Sequence, residues 1–252
     1  MRTLVETRLI FTRAMRLSLR NPIWVILGLV QPILYLVLFG PLLERMTAVR
    51  GWPAGDAWQV FVPGLLVQLG IFGAAFVGFG LIAEIRAGVV ERMRVTPASR
   101  LALLLGRVLR DVVVLLVQGA ILVACAELFG LDAPVGAMVL GLLVVAGLGA
   151  AFSSASYAAA LMLKSEDALA PLTNGLAVPL LLLSGILLPM SLAPGWLETV
   201  SDINPVKHVV DGVRALFLDG ATSTVVWGVV ATLGLVAAGL VLGTRTFEKE
   251  SG

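Results

Sequence analysis

Residues 84–100 read EIRAGVVERMRVTPASR, a charged stretch set between two long apolar runs. In a chain that is 59% hydrophobic and only 13% charged, an island of this density belongs outside a bilayer. Glu84, Arg86, Glu91, Arg92 and Arg94 precede Pro97, and proline cannot continue a helix, so the stretch predicts one short surface helix ending in a turn. It is too short to be a domain and is suited to touching a partner.

The apolar runs on either side set the class. A chain of 252 residues with 27 Gly and a mean hydropathy of +1.00 is a polytopic membrane protein, because no soluble core of that size could bury so many apolar residues. No separate soluble domain is expected. Cys125 is the single cysteine, which excludes a disulfide within the chain and reads as a buried thiol. The first apolar run starts at Ile23, is long enough to span and lacks a small-residue cleavage site, so a cleavable signal is not expected.

Six spans are predicted, at Ile23 to Leu43, Val60 to Ala83, Val112 to Leu131, Val135 to Leu163, Ala168 to Met190 and Val225 to Gly243. Before them, at helical spacing, Arg2, Arg13, Arg16 and Arg20 share one sector, with Leu4, Phe11, Ala14 and Met15 opposite. This is the pattern of a helix lying in the membrane interface, its basic side towards lipid headgroups. Trp52 and Trp58, in the polar loop after the first span, are placed at headgroup level. In the fourth span Gly147, Ala151, Ala155 and Ala159 recur every fourth residue, as do Ala150, Ser154 and Ala158, giving smooth faces for close helix packing. Residues 191–224 are too polar to span. They contain one clear helix, with Asn204 as N-cap, Pro205 in the first position, Val206, Val209, Val210, Val213, Leu216 and Phe217 on one face, and Lys207, Asp211 and Arg214 paired on the other.

Outside the predicted spans, 14 Lys and Arg fall on the side of the N-terminus and the charge island and 4 on the opposite side. The positive-inside rule then places both termini and residues 84–100 in the cytoplasm and residues 191–224 outside.

Catalysis is not expected. The chain has no Gly-Lys dipeptide, so it lacks a phosphate-cradling GxxxxGK[ST] loop, and one His and one Cys, His208 and Cys125, argue against a metal site. An intramembrane hydrolase built from Ser153, Ser154 or Ser156 with His208 and Asp211 lacks any GxSxG context. Ion coupling is also disfavoured, since ionisable groups deep in the spans are scarce. The mid-span polar residues Gln31, Gln68, Gln118 and Asn174 are candidate pathway residues, with interhelical hydrogen bonding as the plainer use. Energy for any transport would come from a partner docked on the charge island.

The stretch EIRAGVVERMRVTPASRLALLLGRVLRD, through Glu84, Gly88, Glu91, Arg92, Thr96, Pro97, Ser99 and Arg100, resembles the cytoplasmic segment of ABC type-2 export permeases of the daunorubicin-resistance type. A second stretch, LLLSGILLPMSLAPGWLETVSDINPVKHVVDGVRAL, carries Gly185, Pro189, Pro194, Trp196, Asn204, Pro205 and Arg214 in that family's order. The resemblance implies an all-α fold forming one transmembrane permease domain over residues 1–252. It has six transmembrane helices, an interfacial helix at 1–21, a coupling helix at 84–100 and an external re-entrant segment at 191–224. Partner binding would fall to Glu84, Arg86, Gly88, Glu91, Arg92, Arg94, Pro97 and Arg100. The implied partners are a cytoplasmic ATPase subunit carrying ATP and Mg, a second permease chain, and membrane lipid, with no nucleic acid and no cofactor on this chain. The implied setting is a bacterial inner membrane. The implied function is ATP-driven export of hydrophobic or amphipathic drugs or lipids. Export of a polysaccharide or glycoconjugate, and a non-transporting scaffold, are the alternatives.

Overall fold

The computed structural model describes residues 2–49, 51–53, 55–89 and 99–249, and among them the regular structure is helical throughout. In chain order the helices are α1 (Arg2–Arg20), α2 (Ile23–Glu44), α3 (Ala57–Ala75), α4 (Val77–Arg86), α5 (Arg100–Leu128), α6 (Val135–Leu163), α7 (Glu166–Leu182), α8 (Gly195–Ser201), α9 (Pro205–Phe217) and α10 (Thr222–Lys249). A single 3₁₀ turn, Met190–Leu192, precedes α8. Among the described residues, five segments are long and apolar enough to cross a membrane: Val25–Glu44, Ala57–Arg86, Arg100–Leu128, Val135–Leu163 and Thr222–Phe247. The protein is an all-α, multi-pass membrane protein.

The second predicted span is two helices meeting at Phe76. The break leaves the carbonyl of Ala75 and the amide of Gly78 without ladder partners, and the Ser156 hydroxyl serves both: it donates to Ala75 O at 2.6 Å and accepts from Gly78 N at 3.0 Å. Gly78 makes this possible, since a methyl there would lie 2.7 Å from Ser156 O.

α5 begins at Arg100, well before the predicted Val112, with Ser99 as its N-cap accepting from Ala102 N at 3.2 Å. Twenty-nine residues make a helix of about 43 Å, longer than the ~30 Å hydrocarbon layer, so its first turns carry Arg107, Arg110 and Asp111 inside the bundle. These three residues stand outside the predicted third span, and the structure adds that they are helical. The fifth predicted span, Ala168 to Met190, is the 17-residue α7, about 26 Å long. It stops at Leu182, and Gly185, at φ +71, turns the chain back so that Ile186 is buried against α3.

α6 is the central helix, flanked by α3, α5 and α10. Its small-residue faces are used for close approach, as the periodicity predicts: a methyl at Gly239 of α10 would lie 2.5 Å from Ala151 O, and one at Gly147 would lie 2.8 Å from Thr232 Cγ2. One apolar core, including Phe61, Leu65, Leu66, Leu122, Leu148, Val210 and Phe217, fills the middle and the end nearer α9. A second, with Leu81, Ile82, Leu104, Tyr157, Leu161 and Phe247, fills the end where α1 lies. Trp58 belongs to the first core. It is 5% exposed, its ring packs over Gly40, and its indole N–H donates to Glu44 Oε1 at 2.9 Å.

Candidate coupling site

The residues that flank the charge island are tied to one another. α4 ends at Arg86, and Gly88, at φ +68, closes it; α5 restarts at Arg100. Glu84, one turn before the end of α4, receives a hydrogen bond from Arg107 Nη2 of α5 at 2.5 Å, with the arginine side chain 8% exposed. The two stems that lead into and out of residues 90–98 are thereby joined by an ion pair held largely away from water.

α1 braces the second stem. Ser99 N donates to Glu6 Oε2 at 2.9 Å, and α1 lies so close to α5 that a methyl at Gly106 would sit 2.7 Å from Ile10 Cβ. The face of α1 turned inward is Thr7, Ile10 and Ala14, and Leu4 is exposed. Arg13, Arg16 and Arg20 point outward as the sequence predicts. A third tie is Arg86 Nη1 to Glu166 Oε1 at 3.0 Å, an exposed pair that joins the end of α4 to the first turn of α7. Being exposed, it contributes little stability.

Deeper in the same end, Tyr157 of α6 donates to Asp111 Oδ2 at 2.6 Å, and Arg110 Nη1 lies 3.1 Å from Asp111 Oδ1. Tyr157 and Asp111 are buried. The cluster thus links α4, α5 and α6 by charge-assisted bonds in surroundings of low dielectric, where geometry is held tightly.

Of the predicted partner-binding residues, Glu84 and Arg86 lie on α4, Gly88 in the turn that ends it, and Arg100 at the first position of α5. They do not share a separate helix: Glu84 faces inward and is occupied by Arg107. Glu91, Arg92, Arg94 and Pro97 lie outside the described residues. The mid-span polar residues have different fates. Gln118 is buried and donates to Val25 O at 2.7 Å, an interhelical bond from α5 to α2. Gln68 is buried on α3, and its Oε1 has no partner among the described residues. Gln31 and Asn174 are exposed on α2 and α7.

A helical bundle with five candidate membrane spans among the described residues, and charged, cross-tied stems on either side of residues 90–98, agrees with the comparison of the chain with protein families, in which residues 5–218 match the ABC-2 type transporter model. The chain belongs to that family. It is 29% identical over 215 residues to the daunorubicin resistance ABC transporter permease protein DrrB1 of Streptomyces coeruleorubidus, an alignment covering 81% of this chain and 72% of the relative. It is 28% identical over 205 residues to a chain of Cyanophora paradoxa named as a transport permease, ycf38, covering 79% and 69%. It is 25% identical over 220 residues to a Mycobacterium tuberculosis chain named for doxorubicin resistance, the ABC transporter permease protein DrrC, covering 86% and 77%. This protein is a permease of the ABC exporter class.

Sequence reasoning missed Arg107, Asp111 and Tyr157 as site residues, and Glu6 as the brace on the start of α5. A signal was present: Leu103, Leu104, Val108 and Leu115 continue the helical period across the arginines, which marks residues 100–111 as helix and not loop.

Proposed function

We propose that this chain is the membrane-spanning subunit of an ATP-driven exporter, taking its energy from a separate ATPase that binds ATP and Mg and docks on residues 84–100. The observation that carries this reading is the Glu84 to Arg107 ion pair, which fastens the two stems of that segment to each other. A push on residues 90–98 reaches α4 and α5 together, and through Asp111 and Tyr157 it reaches α6. Glu91, Arg92 and Arg94 supply the charge for a shape-matched contact with the ATPase.

The arginine-rich end, with α1, the stems of α4 and α5 and the last turn of α10, is assigned to the cytoplasm, and α8 and α9 to the outside. Two permease chains would enclose the pathway. The outward surfaces of the spans are apolar, with Gln31 and Asn174 as isolated polar points, and this suits hydrophobic or amphipathic drugs or lipids better than a hydrophilic polymer.

The test is to purify the chain gently from its native membrane, and to assay ATP hydrolysis and export with Glu91→Arg and Arg92→Glu introduced together. A stoichiometric ATPase that is lost with the double reversal, while the permease stays folded in the membrane, is the expected result. Undiminished ATP-driven export in that variant, or a chain that never carries an ATPase, would reject the reading and favour a scaffold.

A further inference from the structure

At the end opposite α1, Arg214 of α9 is 5% exposed and occupied almost entirely by main-chain oxygens. Its Nε donates to Val60 O of α3 at 2.8 Å, and its Nη2 donates to Gly185 O at 2.5 Å and Ile186 O at 3.3 Å in the turn after α7. One guanidinium therefore fastens three stretches of chain that no other polar side chain among the described residues is seen to join. The turn it grips is itself pressed on α3, since a methyl at Gly64 would sit 2.1 Å from Ile186 O.

The remaining nitrogen is less engaged. Nη1 stands 3.9 Å from Asp211 Oδ1, one turn earlier on α9, beyond hydrogen-bond range. Burial pushes the Asp211 carboxyl up against the opposing pull of Arg214, Lys207 and His208, and burial pulls the Arg214 guanidinium down to about 10, so it stays charged at neutral pH. Lys207 contributes elsewhere: it pairs with Asp202, and not with Asp211 as its spacing predicts. Beside Arg214 and Asp211 lies a cavity of 340 Å³, walled also by Pro53, Met190 and Leu218. The apolar face of α9 is seated in the core through Val206, Val209, Val210, Val213 and Phe217. An apolar seat is non-directional, whereas a planar fork on three carbonyls admits one position.

We propose that Arg214 is the positioning residue of the external closure: its fork on the carbonyls of Val60, Gly185 and Ile186 holds α9 over the outer ends of α3 and α7 until the transport stroke draws those carbonyls apart. This rests on the exporter reading for its direction, and deepens it by assigning the residue that sets the outer end. Asp211 travels with Arg214 on the same helix, and the cavity beside them gives α9 room to shift. Both features suit a contact that is made and released.

The experiment uses the full chain in native membranes, in a Cys125→Ser background with Leu65→Cys as reporter, because Leu65 is fully buried in the core to which α9 contributes its apolar face. A membrane-impermeant thiol reagent labels the reporter slowly while the outer end is shut. Arg214→Ala is expected to raise the labelling rate by about tenfold or more without nucleotide, and Arg214→Lys, which keeps the charge but loses the fork, to fall between. An inserted Arg214→Ala chain labelled at the parental rate overturns the proposal. Should that variant not accumulate, Gly185→Ala disturbs the carbonyl side from φ +71 with the guanidinium intact, and an unchanged rate there overturns it equally. In the complex with its ATPase, Arg214→Lys is expected to lower export per ATP hydrolysed, whereas a parallel fall of export and hydrolysis would speak for simple destabilisation and against the proposal. Labelling reads the permease alone, so failure of the exporter reading appears separately, as absence of a co-purifying ATPase.

Discussion

Arg107 and Glu84 show how a charge is kept inside a helix bundle. With 8% of the arginine side chain and 29% of the glutamate exposed, each depends on the other for the solvation it has lost. Removing one partner leaves a largely buried charge uncompensated. Arg107→Met is expected to cost about 3 kcal/mol, the lower end for such pairs because Glu84 retains some water. Arg107→Met with Glu84→Gln should recover most of that loss, since neither charge is then stranded. Thermal unfolding in detergent of both single variants and the double variant, set out as a double-mutant cycle, measures it. A double-variant loss equal to the sum of the two single losses would mean that the two side chains act independently.

α3 and α4 are a membrane-crossing segment interrupted at Phe76, and the interruption is repaired from another helix. The Ser156 hydroxyl is the only group among the described residues that hydrogen-bonds both the Ala75 carbonyl and the Gly78 amide. Ser156→Ala leaves both main-chain groups unsatisfied in a buried position and is expected to cost about 2 kcal/mol, against near neutrality for Ser154→Ala, whose hydroxyl bonds only Ala150 O within its own helix. Comparing the midpoints of the two variants in a detergent denaturation series distinguishes a pinned break from an incidental contact. The interruption at Phe76 lies on the same helical stem as Glu84.

For the molecule as a whole, burial is uneven. α6 and α3 sit inside the bundle, while the candidate spans in α2 and α10 are only 22% and 17% buried. Apolar exposure along both, at Ile26, Leu34 and Leu38 of α2 and at Val226, Leu233 and Leu242 of α10, is compatible with lipid and with another permease. If two chains enclose the pathway, the chain purified with its ATPase has the mass of a complex with two permease subunits. A single cysteine placed at Leu38 or Leu233 then cross-links between chains at one of the two sites. Native mass spectrometry and cysteine cross-linking decide it, and a complex with one permease subunit would exclude this arrangement.

Sequence alone determined that this is a helical membrane protein, where most of its spans lie, and which stretch is charged, because hydropathy and helical period are properties of consecutive residues. α6 runs from Val135 to Leu163 as the apolar run predicts, and Asn204 caps α9, accepting from Val206 N, with Pro205 in its first turn. Only the tertiary structure decided where polar groups go. Arg214 reads in sequence as one member of a solvated charge pair and is instead buried on three carbonyls from distant parts of the chain. Arg107, Arg110 and Asp111 stand before the predicted third span and lie within α5, where Glu84 and Tyr157, remote in sequence, supply partners. The physical reason is the same in each case. A buried charge is tolerated only where a complementary group arrives from elsewhere in the fold, and that arrival is a fact of packing and not of local sequence.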